Sequence, residues 1–147
     1  MLFNDRELLA RILQCEAGGE GEDGMRAVAT VIMNRVHAAD GEYARTGEGS
    51  LRNVLFQPYQ FDCARTEIGG AYNPQNIYNM SPEQIHYDIA DWALEGNRFT
   101  PVGESLWYYN PFTPQCEQNF PRNGSGYLFN RINQHCFYAP TSLYYST

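Results

Sequence analysis

The sequence has no apolar run long enough to cross a membrane. Its first ten residues, MLFNDRELLA, also lack the basic n-region and the long hydrophobic h-region of a secretory signal. Basic residues are scarce, because 10 Lys and Arg stand against 17 Asp and Glu and give a formal net charge of −7. A nucleic-acid surface, or adhesion to anionic lipid, requires clustered positive charge. We therefore expect a soluble chain with no membrane span and no nucleic-acid partner.

Spacings typical of metal sites are also missing. The cysteines form no CxxC pair, which disfavours a zinc ribbon. The three histidines show no ligand spacing, so a metal enzyme is disfavoured as well. These histidines are His37, His86 and His135. The sequence thus predicts no metal and no cofactor.

The four cysteines, Cys15, Cys63, Cys116 and Cys136, are too few and too scattered to define a disulfide scaffold. Cys116 and Cys136 bracket a C-terminal segment and could form a disulfide in an oxidising compartment. If all four cysteines pair, three connectivities exist and the spacing does not choose among them. For a chain made without a leader, we expect reduced thiols as the default.

No repeat, low-complexity tract or linker divides the 147 residues, so we expect one domain over residues 1–147. Hydrophobic residues at 43% and charged residues at 18% are typical of a folded globule. Aromatic side chains are abundant at 14%, and they crowd into the C-terminal half. Their flat apolar faces suit sugar rings as well as protein cores. We expect most Phe side chains in the core and some Tyr side chains in a groove.

An acidic residue, Glu16, continues the apolar stripe of the first predicted helix. The stripe recurs at the i, i+3, i+4 spacing of an amphipathic helix and consists of Leu8, Leu9, Ile12 and Leu13. A carboxylate on the core side must be paired, reach a cleft, or hold its proton to an unusually high pH. The third outcome produces a general acid. Alternatively, Glu16 reaches water or caps a backbone group at the helix end, and the spacing leaves both open.

Capping residues mark where the helices around Glu16 begin and end. Asn4 predicts the start of the first helix, and Gly18-Gly19 predicts its end. A second helix is expected to begin near Glu22 or Asp23, since acidic residues favour a helix N-terminus. Glu16 is thereby predicted to lie one turn before a glycine turn between two helices.

Shorter elements are predicted in the remainder of the chain. Residues 38–50 and 66–80 are rich in turn-forming residues and are predicted as loops, and residues 50–55 as a short helix. Ser81 and Gly96 bound a further helix, with a proline in its first turn. Two aromatic runs, LWYYN and HCFYA, indicate a small sheet or hairpin beside the helices.

Four segments of the sequence resemble one known family. The run CEAGGEGEDGMRAVATVIMNRV, residues 15–36, resembles the signature of the spore cortex-lytic family of cell wall hydrolases, the SleB/CwlJ type. Residues 54–63, VLFQPYQFDC, are similar to its Gln-Pro-x-x-Phe segment. Residues 105–111, SLWYYNP, and 134–140, QHCFYAP, resemble its C-terminal aromatic blocks. The blocks occur in the family's order, and the SLWY and HCFY spellings look most like its coat-located CwlJ branch.

The resemblance implies an α+β, lysozyme-like (lytic-transglycosylase-like) helical domain with a small β-hairpin or sheet. It implies cleavage of peptidoglycan glycan strands in the spore cortex during germination, at the spore coat/cortex boundary. A spore-coat anchoring protein would be a second partner. Under this resemblance Glu16 is the catalytic acid, and six residues of the matched blocks bind the glycan. They are Gln57, Phe61, Trp107, Tyr108, Asn110 and His135.

Two reactions at a glycosidic bond differ in how many carboxylates they need. A hydrolase such as a muramidase or glucosaminidase adds a second carboxylate as nucleophile or base. Glu20 and Glu22 follow the glycine turn without convincing spacing, although Asp62 or Glu67 could reach the cleft from a loop. In a lytic transglycosylase a single Glu protonates the leaving oxygen, and the muramyl C6 hydroxyl closes a 1,6-anhydro product. We expect the transglycosylase reaction, with hydrolysis as the alternative.

Two other classes of function stay open. A cysteine amidase would pair Cys15 with His135, since a reactive thiolate needs such a partner. Cys15 is, however, about 100° around the helix from Glu16. A non-catalytic coat or peptidoglycan-binding domain would use the aromatic residues alone. Separate replacement of Cys15 and Glu16, with turnover of purified cortex as the readout, distinguishes these hypotheses.

Overall fold

A computed structural model describes residues 2–147. Within this range the chain forms α-helices followed by a small sheet. The five α-helices of the described residues are α1 Asp5–Ala17, α2 Gly21–Val36, α3 Gly41–Gly47, α4 Leu51–Phe56 and α5 Gln84–Leu94. The five strands of the same range are β1 Glu67–Ile68, β2 Ala71–Tyr72, β3 Trp107–Tyr109, β4 Gly126–Ile132 and β5 His135–Pro140. None of the helices in residues 2–147 has the length and apolar character needed to span a membrane.

Helix α1 has the ends that its sequence predicts. The side chain of Asn4 accepts a hydrogen bond from the backbone N–H of Glu7 at 2.8 Å, and the helix ends before Gly18. Its apolar stripe is fully buried against α2 and α5. The stripe therefore fixes the rotation of α1, and with it the direction of Glu16.

The end of α2 anchors the chain that enters the sheet. Asn34 Nδ2 donates to the carbonyl oxygens of Gly103 and Ser105, at 3.1 and 3.0 Å. Arg35 Nε donates to the carbonyl oxygen of Leu106 at 2.7 Å. These three hydrogen bonds fix the segment 103–106, which leads directly into β3, against the end of α2.

The C-terminal sheet is antiparallel, with the order β3-β5-β4. Because successive side chains of a strand point to opposite faces, neighbours on β3 enter different environments. Trp107 packs with Tyr43 and Tyr144 in a small aromatic core. Tyr108 points to the other face, toward the helices, where it packs against the main core that includes Phe137. The two faces of β3 thus contribute side chains to two different cores, the aromatic core and the main core.

Some elements differ from the sequence prediction. The loop predicted at 38–50 contains α3, which forms because Tyr43 and Gly41 pack against Tyr144, near the end of the chain. The loop predicted at 66–80 contains the β1–β2 hairpin. Helix α5 begins at Gln84 with Glu83 as its N-cap, and not at Ser81. Strand β4, GYLFNRI, was not predicted and is paired with β5 in the sheet.

The expectation of reduced cysteines is wrong. Cys15 is bonded to Cys63 and Cys116 to Cys136, with Cα atoms 6.1 and 5.9 Å apart. No cysteine of the described residues remains free. The first pair could not be foreseen, because it depends on the 3₁₀ turn Asp62–Ala64 packing against α1.

Candidate active site

A cavity of about 460 Å³ opens beside the last turn of α1, and Glu16 lies in its wall. The Tyr108 hydroxyl donates a hydrogen bond of 2.6 Å to Glu16 Oε1. The N-terminal helices, the segment 59–62, and β3 with the loop after it form the walls. The lining residues are Glu16, Arg35, Tyr59, Gln60, Phe61, Asp62, Tyr108, Tyr109, Asn110, Phe112 and His135.

Burial raises the pKa of Glu16 above its ordinary value of 4.5. The hydrogen bonds from the Tyr108 hydroxyl and the Cys63 backbone oppose this rise but do not cancel it. The negative charge of Asp62 raises the pKa further, and the positive charge of Arg35 lowers it. A carboxyl group tuned in this way holds its proton closer to neutral pH, as a general acid requires.

Tyr108 is a hydrogen-bond donor of fixed orientation. Burial and the neighbouring Glu16 raise the pKa of Tyr108 well above its ordinary value of 10.0, so the hydroxyl keeps its proton. The ring stacks on Phe137, with centroids 5.7 Å apart, and meets the edge of His135 at 5.1 Å. The ring contacts therefore aim the hydroxyl at Glu16.

Arg35 brings a buried positive charge to the same cavity. Its Nη1 donates to Gln60 Oε1 at 3.2 Å. Its guanidinium lies over the rings of Tyr43 and Phe61, at 4.4 and 5.2 Å from their centroids. In the described part of the chain, no carboxylate forms an ion pair with it. Its charge is thus available to stabilise the ionised form of Glu16.

Glu20 joins the turn between α1 and α2 to the turn between β4 and β5. Its Oε1 accepts from the backbone of Gln134 at 3.0 Å and lies 3.1 Å from His135 Nδ1. Its carbonyl oxygen accepts from Asn133 Nδ2 at 2.6 Å. Burial lowers the pKa of His135, and Glu20 opposes that change. Glu20 is therefore occupied in holding the His135 wall, which disfavours it as a catalytic base.

The structure brings four of the six predicted glycan-binding residues to the Glu16 cavity. They are Phe61, Tyr108, Asn110 and His135. Each comes from a different turn or strand position, so the cavity is assembled from parts of the chain that are distant in sequence. What these side chains bind stays a prediction.

Gln57 and Trp107 lie elsewhere, and the prediction that they line this cavity is corrected. Gln57 Nε2 donates to Glu42 Oε2 and its Oε1 accepts from Thr46, both at 3.1 Å, so its amide ties α4 to α3. Trp107 is buried in the aromatic core, because it lies on the face of β3 opposite to Tyr108.

Several lining residues were not foreseen from the sequence. Arg35 falls within the matched block 15–36, which was the one signal for it. Asp62, considered only as a loop acid, does reach the cavity, where its side chain is 74% exposed and lies 3.5 Å from Arg65. Glu67 is on β1 and is not among the lining residues.

The structure also bears on two other kinds of site, a cysteine nucleophile and a metal centre. Cys15 is bonded to Cys63, so it offers no thiolate, and the cysteine amidase hypothesis is wrong. Within residues 2–147, no cluster of three or more His, Cys, Asp or Glu side chains is arranged to hold a metal ion. The ionisable lining of the cavity includes the carboxyl groups of Glu16 and Asp62 and the guanidinium of Arg35.

Known proteins resemble this chain over most of its length. The model of the Cell Wall Hydrolase family matches residues 19–138. Over 139 residues, the chain is 29% identical to cell wall hydrolase CwlJ of Bacillus subtilis strain 168, covering 94% of this chain and 87% of the relative. It is 32% identical over 110 residues to the spore cortex-lytic enzyme of the same organism, covering 75% of this chain and 30% of that longer protein.

A solved structure also resembles it. The catalytic domain of the germination-specific lytic transglycosylase SleB from Bacillus anthracis superposes with a TM-score of 0.64 at 25% identity. The match covers 94% of this chain and 96% of that domain. The predicted α+β, lytic-transglycosylase-like fold is thereby confirmed. The family match begins after Glu16, so the role of Glu16 depends on the geometry described above.

Proposed function

The chain belongs to the cell wall hydrolase family, and on that basis we propose that it is an enzyme that cleaves peptidoglycan glycan strands of the spore cortex, with Glu16 as its general acid. The observation that carries the proposal is the Glu16 carboxyl in the cavity wall, with a raised pKa and a hydrogen bond from Tyr108. Similarity to a spore cortex-lytic enzyme and to SleB supports the choice of substrate. The proposal treats residues 1–147 as one catalytic domain.

The proposed reaction is that of a lytic transglycosylase. Glu16 donates its proton to the glycosidic oxygen while the bond from that oxygen to the muramyl C1 breaks. The resulting Glu16 carboxylate is stabilised by the Tyr108 hydroxyl and the charge of Arg35. It then takes the proton of the C6 hydroxyl, whose oxygen bonds to C1 and closes the 1,6-anhydro ring. Glu16 is protonated again, and no water is consumed.

Hydrolysis is the second candidate, and Asp62 is the observation that favours it. Asp62 lines the same cavity and could activate water as the second carboxylate. Against this, its side chain is largely exposed and is paired with Arg65. Glu20, the other nearby acid, is engaged with His135. We therefore place the transglycosylase first.

The first test compares two matched substitutions that each replace an acid by its amide. Glu16→Gln should fold normally and lose about 10²- to 10⁴-fold in the rate of release of soluble fragments from purified cortex. Asp62→Asn should keep its kcat at pH values below the pKa of Glu16 if the reaction is transglycosylation, because Asp62 then only raises that pKa, and should lose its kcat at every pH if the reaction is hydrolysis. A folded Glu16→Gln enzyme that retains more than about a tenth of the rate would contradict the general-acid role.

The second test examines the product. Cortex digested in H₂¹⁸O should give 1,6-anhydro muropeptides without the label, as read by mass spectrometry. Reducing ends that carry ¹⁸O would instead indicate hydrolysis. Combined with an inactive Asp62→Asn variant, labelled ends would assign Asp62 as the base.

We also propose that the enzyme acts at the spore coat/cortex boundary during germination, held there by a coat anchoring protein. Its similarity to CwlJ and to a germination-specific enzyme supports this location. Fractionation of dormant spores, followed by an antibody against the chain, checks the location. Recovery in the core fraction alone would contradict it.

A further inference from the structure

Two aromatic rings at the cavity, Tyr59 and Phe112, are unusually exposed. Their residues are 81% and 87% accessible to solvent, yet both line the cavity that contains Glu16. Both also have a positive φ, 66° for Tyr59 and 56° for Phe112. Bulky residues rarely adopt this region, because the side chain crowds the backbone. We call these two residues the rim aromatics.

Tyr59 occupies a turn position that normally belongs to a smaller residue. The backbone N–H of Gln60 donates to the carbonyl oxygen of Gln57 at 3.2 Å, which closes a tight turn with Pro58 and Tyr59 at its centre. Turns with proline second and a positive φ third favour Gly or Asn in that third place. Gly or Asn would therefore fit the backbone conformation of this turn position better than Tyr59 does.

The Tyr59 ring is nevertheless held in place. The Arg65 guanidinium lies over it, 5.1 Å from the ring centroid. Arg65 is itself held by the Asp62 carboxylate at 3.5 Å. One face of the Tyr59 ring is thus covered by a cation, and the ring is presented beside the cavity.

Phe112 is also fixed by its surroundings. Its backbone N–H donates to Asn110 Oδ1 at 2.7 Å, which makes a side-chain turn. Arg131 Nη1 donates to the carbonyl oxygen of the next residue, Thr113, at 2.9 Å. Slightly further on, Cys116 is bonded to Cys136 on β5. An anchored loop therefore carries an exposed apolar ring, and Asn110 contributes by shaping that loop.

Neither ring gains by burial, and both occupy unfavourable backbone conformations. Local conformational rules that are broken without a gain in packing are expected at functional sites. An exposed aromatic face beside a catalytic cavity gains free energy only when a ligand covers it. In a cavity that cuts a glycan, the natural ligand is the apolar C–H face of a pyranose ring.

We propose that Tyr59 and Phe112 stack on sugar rings of the glycan strand that flank the bond cut by Glu16, and so strengthen binding of the strand. This inference rests on the proposed function. The two rings come from different segments, the turn after α4 and the loop after β3, and both line the cavity that contains Glu16.

The test measures KM on glycan strands that an amidase has freed of peptides from purified cortex. Tyr59→Leu and Phe112→Leu keep an apolar side chain without β-branching and remove the aromatic face. Each should raise KM roughly 3- to 10-fold, the loss expected for one aromatic stacking contact. Tyr59→Trp and Phe112→Tyr should restore the wild-type KM, which a purely structural role would not do. The matched control is Tyr72→Leu on β2, a tyrosine that is 65% exposed and outside the cavity lining.

An unchanged KM in both Leu variants would overturn the inference. So would equal damage by the aromatic replacements, since that result would mean that only the local backbone matters. A wild-type enzyme that cuts no strand at all would instead refute the proposed function. Cosedimentation of the Glu16→Gln protein with intact cortex then tests the rim aromatics separately. If binding to cortex requires the two rings, the inference is supported. If binding does not require them, the inference is overturned.

Discussion

Replacing Tyr108 by Phe removes a single hydroxyl group from the catalytic cavity. The hydroxyl donates to Glu16 Oε1 over 2.6 Å, while the ring that Phe retains stacks on Phe137. This hydrogen bond favours the charged form of Glu16 and lowers the pKa that burial raises. Its loss should therefore raise the pKa of Glu16 further.

The size of the change follows from the energy of that contact. A hydrogen bond to a charged group contributes about 1.5 to 3 kcal/mol, and one pKa unit corresponds to about 1.4 kcal/mol. The cavity is open to solvent, so water replaces part of the lost contact and the lower end applies. We expect the pKa of Glu16 to rise by about one unit.

The sign of the effect on activity is set by the general-acid role proposed for Glu16. A general acid works when it is protonated, so activity is present below its pKa and is lost as the pH rises through that value. Tyr108→Phe should then move the alkaline limb of the kcat/KM profile upward by about one pH unit. The assay is the initial rate of fragment release from purified cortex, in buffers of constant ionic strength.

Tyr109→Phe is the matched control for this prediction. It removes the same group from the next residue, whose hydroxyl lies 3.5 Å from that of Tyr138 and makes no hydrogen bond to Glu16. Its alkaline limb should stay in place. A limb that does not move in Tyr108→Phe, or that moves to lower pH, would refute the argument that Tyr108 tunes Glu16.

Three other changes give further checks. Replacing both Cys15 and Cys63 by Ser frees a segment with a sequence separation of 48 residues, and it should lower the free energy of unfolding by about 2 to 4 kcal/mol in urea denaturation. A reductant should lower the stability of the wild type more than that of the variant, because in the variant only the Cys116–Cys136 bond is left to reduce. Glu20→Gln should lower the pKa of His135, because Glu20 raises it; NMR titration of the imidazole protons checks this, and an unchanged value would deny the contact. Gln57→Ala should cost about 1 to 2 kcal/mol of stability and leave KM for cortex unchanged, and a raised KM would return Gln57 to the binding site.

Local patterns in the sequence predicted the helices well, because each helix carries its own evidence. The apolar stripe of α1, its Asn4 cap and its glycine stop all lie within a few residues of Glu16. Helix α3 was missed because its glycine-rich sequence has little helix propensity, and Tyr144, about a hundred residues later, supplies the packing. Propensity cannot report a partner at that distance.

Strand β3 shows why the residues that line the cavity could be predicted only in part from the sequence. Trp107 and Tyr108 are adjacent and similar, and the sequence does not say which face of the strand meets α1. The alternation of a strand decides it, and it sends only Tyr108 to Glu16. The sequence offered Asp62 and Glu67 together as loop acids, and only the turn that folds back onto α1 decides that Asp62 lines the cavity.

The bond between Cys15 and Cys63 joins the immediate neighbours of Glu16 and Asp62. The entropy of bringing the helix and the turn together is therefore lost once, when the bond forms, and not at each encounter with substrate. An enzyme stored for long periods beside its substrate would then be ready without refolding its site. The activity of such an enzyme would depend on whether this disulfide stays oxidised. A thiol reductant could loosen the spacing of Glu16 and Asp62 while leaving both carboxylates chemically intact.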